Sequence, residues 1–552
     1  MDREGNGGAP AGDVSGGGDP TSKYAALDPD QGFRRDDLLN ACLAGEMNRS
    51  GWDPNSMRNL PRKYFPERAG AGDSLYWLLA ALLFGLQVIY SLRSMNQICY
   101  EELMESVRNV YLLQHRTVYN GASTNIGWYG LLLCVYNCVG FELHTAKIVR
   151  LAIDLVSIFC LAHVLRNVMG ARRAWLPLMT ICLSPIFLYF NMMQGGLGFD
   201  LQYFPICLFL ITKLDFDTKW PVVAVQIMLW GLVMLACTSY PVFVLYLPIM
   251  IILYFRQLGQ GAKPRGALYV TGNALLSITA FLAPLAAGFL YVTNRSILVY
   301  DPLTTRGIFR GGGGMHPDLS NLIRCLKVVV SELFVKGQGY HLELSRTEFS
   351  GVTGIVPVVF VMTAGLVLFF TKRSFRSILL LCWLLLAINL ILPNLDANAP
   401  GIRRCTGALA AFYALYAVVW YYMSGRETRS LVFTWTGILM CALLPIHHLL
   451  AYTENLSGLA KPSMYRVQVW YDVKPTAAES LRFWLTHTEE GKGLLLIDKT
   501  GRPVTRYTEI YYALAGYRRW NRLKETPIMA YDVKSGKYIP LSIELFNGGY
   551  FY

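Results

Sequence analysis

From residue 75 to residue 453 the chain repeats one pattern: apolar runs of roughly 17 to 25 residues, separated by short segments that carry its basic side chains. An α-helix rises about 1.5 Å per residue, so each run is long enough to reach across about 30 Å of hydrocarbon. Lipid offers the backbone no hydrogen-bond partners, so a segment crossing it must satisfy its own, and a helix does so within one run. The pattern therefore predicts a polytopic α-helical membrane protein. Composition points the same way, because 53% hydrophobic and 16% charged residues leave too little polar surface to coat a soluble domain of 552 residues. The net charge of +13 does not signal nucleic acid, which is not an expected partner. Lys and Arg fall in short clusters between apolar runs, as the positive-inside rule requires of cytoplasmic loops.

Crossings are expected near 75–92, 150–168, 174–193, 200–214, 220–238, 240–255, 267–292, 352–371, 377–392, 405–423 and 431–453. A twelfth apolar run, "NIGWYGLLLCVYNCVGFEL" at 125–143, is settled by charge parity. Arg34, Arg35, Arg58, Arg62, Lys63 and Arg68 place the N-terminus in the cytoplasm. If 125–143 crossed, "RNVMGARRAW", "RQLGQGAKPRG", "TKRSFR" and "SGRETR" would all face outward; if it lies along the outer interface, all four face the cytoplasm. The expectation is thus eleven crossings, N-terminus inside and C-terminus outside. Residues 1–74 read as a partly disordered cytoplasmic tail, rich in Gly and Asp at its start and lacking an apolar signal segment. Residues 75–453 form the membrane domain, with long outer loops at 93–149 and 293–351, and 454–552 read as a small extracytoplasmic α/β domain with a strand at "GLLLID". The 12 Cys sit mostly inside apolar runs without CxxC spacing, which makes them packing residues.

Most of the unusual polar residues fall on the outer face in this topology. Glu101, Glu102 and Glu105 stand within about a turn of the end of the first span, where a carboxylate is either solvated or employed. Asp200 closes the short turn "QGGLGFD", Lys147 and Arg150 open the second span, and Arg403 and Arg404 open the tenth. The adjacent arginines run against the positive-inside bias and so call for a local reason. The loop "FRGGGGMHPD" carries His316; no Lys-Ser/Thr follows its glycines, so it is not a P-loop, and its flexibility suits a lid.

The order of features is similar to the GT-C superfamily of membrane glycosyltransferases, in particular its aminoarabinose-transferase and protein O-mannosyltransferase branch. Carrying the likeness are the first span with acids at its outer end, "ESVRNVYLLQHRTVYNG", an interfacial apolar helix, and "LHTAKIVRLAIDLVSIFCLAHVLRNVMGARRAWLPLMTICLSPIFLYFNMMQGGLGFD". The resemblance covers roughly residues 75–215. Where members carry Asp this chain has "EE", and their Pro-Pro-Leu signature is replaced by "STNIGWYGL".

The resemblance implies a GT-C-like fold and transfer of a sugar from a polyprenyl-phosphate donor to a lipid, glycan or protein acceptor outside the cytoplasm. One of Glu101 and Glu102 would act as base, and Asp200 would help bind substrate. The leaving phosphate would meet Lys147, Arg150, Arg403 and Arg404, Arg being suited to a two-pronged grip. His115, Arg116, Tyr119 and His316 would line the substrate pocket. Blander roles compete: Asp200 as a helix N-cap, Lys147 snorkelling to headgroups, and Arg150 paired with Asp154 one turn on. No cofactor is demanded and no metal spacing is visible, although a divalent cation is left open. A bacterial inner membrane is the favoured location and the ER membrane the alternative. A flippase for a lipid-linked substrate and a non-catalytic scaffold that keeps the fold are the rival functions; a transporter would call for internal repeats with broken helices near the midplane, and none is evident.

Overall fold

A computed structural model describes residues 71–95, most of 106–115, 125–142, 144–192, 199–216, 220–259, 266–291, 319–335, 353–394, 405–425, 431–459, parts of 516–521, 529–532 and 537–540. Its helices are α1 (Ala71–Ser94), α2 (Ile126–Val139), α3 (Thr145–Met169), α4 (Ala171–Cys182), α5 (Pro185–Met192), α6 (Asp200–Thr212), α7 (Trp220–Ser239), α8 (Leu247–Gly259), α9 (Ala267–Tyr291), α10 (Leu319–Val330), α11 (Ile355–Thr371), α12 (Arg376–Ile391), α13 (Thr406–Met423) and α14 (Leu431–Leu459). A 3₁₀ turn, Pro241–Tyr246, leads into α8.

Eight helical segments among the described residues are long and apolar enough to cross a membrane, and Asp200–Thr212 and Ile355–Thr371 are shorter apolar helices. Their apolar side chains point outward as well as inward: Leu268 is 89% exposed and Trp435 63%. A surface of that kind is stable only in lipid. The protein is a polytopic helical membrane protein.

Direct contacts gather the basic clusters at one end of the bundle. Arg166 in the last turn of α3 grips Asp73 in the first turn of α1 through two bonds of 2.6 and 2.7 Å. Trp420 at the end of α13 donates its indole N–H to the Arg173 carbonyl at 2.7 Å, while the Arg173 guanidinium lies 4.9 Å over the Tyr421 ring. Lys372, after α11, lies 5.5 Å over the ring of Tyr422. Lys213 reaches His163 at 3.5 Å, Gln257 donates to the Leu214 carbonyl at 3.1 Å, and Tyr269 donates to the Phe216 carbonyl at 3.0 Å. The ends of α3, α6, α8, α11 and α13 and the starts of α1, α4 and α9 thus share one level. The described parts of the four clusters named from the sequence all border it.

The run 125–143 behaves differently from a span. Its helix α2 has 14 residues, about 21 Å of rise and short of the hydrocarbon thickness. Gly127 near its start packs so tightly against Leu235, Thr238 and Ser239, at the end of α7, that a β-carbon there would overlap them. After its last turn, Gly140 takes φ 84°, a left-handed conformation that favours glycine, and the chain enters α3 at Thr145. Both ends of α2 lie at the end of the bundle opposite the basic clusters.

The run 174–193, expected as one span, is two helices. Pro185 has no N–H and its ring excludes the carbonyl four residues back, so α4 stops at Cys182 and α5 restarts at Pro185. Ser184 in the break is buried and shares a hydrogen bond of 2.5 Å with the Tyr413 hydroxyl. That partner holds the bend inside the bundle.

The C-terminal part meets the rest at α2. Trp520 stacks 4.8 Å from Tyr136 and 5.8 Å from Phe141, and its indole N–H bonds Gln114. Asn521 clamps the Phe141 backbone, donating to its carbonyl at 2.9 Å and accepting from its N–H at 3.1 Å. Burial of Tyr136 in this stack pushes its phenol above the usual range, which keeps it neutral. An antiparallel strand pair follows, with Met529 opposite Pro540 and Asp532 opposite Lys537. The strand expected at "GLLLID" lies outside the described residues.

Candidate functional site

A group of buried polar side chains occupies the end of the bundle opposite the basic clusters, where two apolar cores meet. Phe199, Tyr203 and Tyr246 belong to one core, and Leu201, Cys405 and Ala408 to the other. Helix α3 supplies the cations. Lys147, in its first turn, is buried and donates to the Ser94 carbonyl at the end of α1, at 2.6 Å. A lysine held this way is not reaching for lipid headgroups. Arg150, one turn on, is fully buried; its guanidinium lies 4.2 Å over the Phe199 ring and donates to Gln202 Oε1 at 3.4 Å. Asp154, a further turn along, is also fully buried, with Arg150 and Gln202 acting on its carboxyl. An i,i+4 spacing brings Arg150 and Asp154 to one helix face, as the sequence suggests.

Asp200 is the first residue of α6, not its N-cap. Phe199 holds the cap position and makes no side-chain cap bond. The Asp200 side chain turns instead into the bundle, where Oδ2 accepts from Thr406 Oγ1 at 2.7 Å and from the Tyr246 hydroxyl at 3.0 Å. Thr406 opens α13 and Tyr246 ends the 3₁₀ turn, so three separate parts of the chain meet on one carboxylate oxygen. Asn389, near the end of α12, is fully buried and donates to the Leu385 carbonyl at 2.9 Å. Gly407 has no side chain for a reason of space: a β-carbon there would overlap Asn389 Oδ1 and crowd the Tyr246 hydroxyl.

The structure thus brings Lys147, Arg150 and Asp200 to the same end of the bundle. The His115 ring packs 4.1 Å from Tyr111, and its nitrogens meet the Tyr111 carbonyl at 2.8 Å and Arg519 at 3.4 Å. Glu101, Glu102, Arg116, Tyr119, His316, Arg403 and Arg404 lie outside the described residues. Ser94, seven residues before Glu101, receives Lys147, and Thr406, two residues after Arg404, bonds Asp200. Among the described residues no three His, Cys, Asp or Glu side chains are placed to share a metal ion.

No protein-family model matches the chain, and no curated protein does. The chemistry must therefore be read from the residues themselves. Two basic and two acidic side chains, Lys147, Arg150, Asp154 and Asp200, are buried there, where water screens their interactions little. Phe199, Gln202, Tyr246, Asn389 and Thr406 were not singled out from sequence. The signal that finds Gln202 and Asn389 is a polar amide inside an apolar run, which in a membrane helix marks function or packing by default.

Proposed function

We propose that the protein is a GT-C-like membrane glycosyltransferase that moves a sugar from a polyprenyl-phosphate donor to an acceptor on the extracytoplasmic face. The observation that carries this reading is the convergence of Lys147, Arg150, Asp154 and Asp200 at the end of the bundle remote from the basic clusters. In this reading the basic end faces the cytoplasm, eleven segments cross, α2 lies along the outer interface, and residues 454–552 form an outer α/β domain.

A polyprenyl phosphate has an apolar tail and an anionic head, and it arrives from the bilayer at the level where these side chains sit. Transfer forms a bond from the acceptor oxygen or nitrogen to the anomeric carbon as the bond from that carbon to the phosphate oxygen breaks, inverting the centre. The acceptor proton passes to Glu101 or Glu102, and the electron pair leaves on the phosphate. Arg150 and Lys147, with Arg403 and Arg404, counter that developing charge, while Asp200 orients the sugar or acceptor. A flippase is the weaker reading, because Lys147, Arg150 and Asp200 sit at helix starts and the sequence shows no evident internal repeat.

The test is direct. The purified protein in liposomes, given labelled polyprenyl-phosphate sugars with phospholipid, glycan and peptide acceptors, is expected to release polyprenyl phosphate and invert the sugar. Donor left intact with every acceptor overturns the assignment. Orientation is checked separately by Arg172→Cys in a chain with Cys42, Cys99, Cys134 and Cys138 replaced by Ser. Position 172 is exposed at the basic end. An impermeant maleimide added to intact cells is expected to leave it unlabelled and to label it after lysis; labelling from outside reverses the topology.

A further inference from the structure

Two buried acceptors, at the start of α6 and near the end of α12, stand out in the polar group. Among the described residues, Asp200 Oδ1 and Asn389 Oδ1 are buried without a hydrogen-bond partner, although both residues are fully enclosed. Both are acceptors. Leaving an acceptor unmet in a water-poor interior is costly, and an ionised carboxylate oxygen more so. Two further oxygens belong to the same place. The Thr406 and Tyr246 hydroxyls spend their protons on Asp200 Oδ2 and keep lone pairs. Asn389 Oδ1 and the Tyr246 hydroxyl both press against the bare Cα of Gly407, which brings these oxygens close to one another beside Thr406.

We propose that this cradle binds a monovalent alkali cation, held by Asp200 Oδ1, Asn389 Oδ1 and the hydroxyl oxygens of Thr406 and Tyr246. Hard cations take oxygen ligands, and carboxylate, amide carbonyl and hydroxyl are all of that class. Charge selects the valence. The set holds one carboxylate; the other buried acid, Asp154, is answered by Arg150 on its own helix. One positive charge leaves the cradle neutral, whereas a divalent ion would leave it charged inside the protein. Placement suits the task as well: Asn389 lies at the C-terminal end of α12, the negative pole of that helix. The ion would join α6, α12, α13 and the turn before α8 at one point. This inference stands apart from glycosyl transfer, since a transporter or a scaffold with these residues would bind the same ion.

Thermal unfolding of the purified full-length protein in detergent tests it, with NaCl or KCl titrated against choline chloride at constant ionic strength and pH 8. A ligand that binds only the folded state raises the melting temperature saturably. The expected result is a saturable rise of at least about 2 °C with Na⁺ or K⁺, abolished in Asp200→Asn and reduced in Asn389→Leu. Should Asp200→Asn fail to fold, Thr406→Val keeps the side-chain shape, removes one ligand oxygen and is expected to weaken the ion response. No response of the wild-type protein to either cation overturns the proposal. So does a response to Mg²⁺ or Mn²⁺ alone, and so does stability that follows pH but no ion, which would mean that a proton occupies Asp200.

Discussion

Replacing Glu101 and Glu102 together with glutamine is expected to lower sugar transfer by about 10²- to 10⁴-fold, the usual contribution of a positioned general base. Glutamine keeps the shape and hydrogen-bonding reach of the side chain and removes its ability to take the acceptor proton. Folding and donor capture should survive, because the contacts that anchor this region involve other residues: Lys147 holds Ser94, and Trp520 holds Gln114. The measurement is the turnover of polyprenyl-phosphate donor by purified protein, with donor affinity followed in parallel. The two single variants then assign the base, since adjacent residues point in different directions and one should carry the loss. A double variant that turns over donor at the wild-type rate removes the carboxylates from the mechanism.

A second large effect is expected at Arg150. Replacing it with Met leaves Asp154 buried and uncompensated, which costs about 3–5 kcal/mol when one partner of a buried pair is removed. Removing both charges, in Arg150→Met with Asp154→Leu, should recover most of that stability, since an apolar pair needs no solvation. It should not recover transfer if, as proposed above, the guanidinium lying over Phe199 counters the charge of the donor phosphate. Arg150→Lys keeps the charge and loses the fork, and is expected to bind donor more weakly while folding normally. Thermal unfolding reads the first difference and donor binding the second. If the double variant transfers sugar normally, Arg150 is a structural partner of Asp154 and nothing more.

Much of the bundle is legible in the sequence because lipid imposes one-dimensional rules: length sets the spans, and charge sets which ends belong together. The four basic clusters do share a level, and α2 begins and ends on the opposite one. Where local chemistry competes with apolar length, the reading fails, as at Ser184–Pro185, where a proline divides what hydropathy presents as one run. The polar group was half legible. Lys147, Arg150 and Asp200 announce themselves as charges at span ends. Tyr246 and Thr406 do not, because nothing within a few residues marks them. Thr406 meets Asp200 across 206 positions of sequence, and only the packing of α6 against α13 makes them neighbours. The N-cap expected at Asp200 shows the same limit: a good capping residue was drawn inward by partners from elsewhere in the chain.

The grip of Asn521 on Phe141 spans 380 positions, so its two halves leave the ribosome far apart in time. At about 5–20 residues per second, the first half waits roughly 20 to 80 s for the second. Until then Tyr136 and Phe141 lack the indole that covers them. A chain cut short by premature termination before residue 520 can insert all its spans and still leave that patch open, which gives quality-control proteases a mark by which to tell finished molecules from unfinished ones.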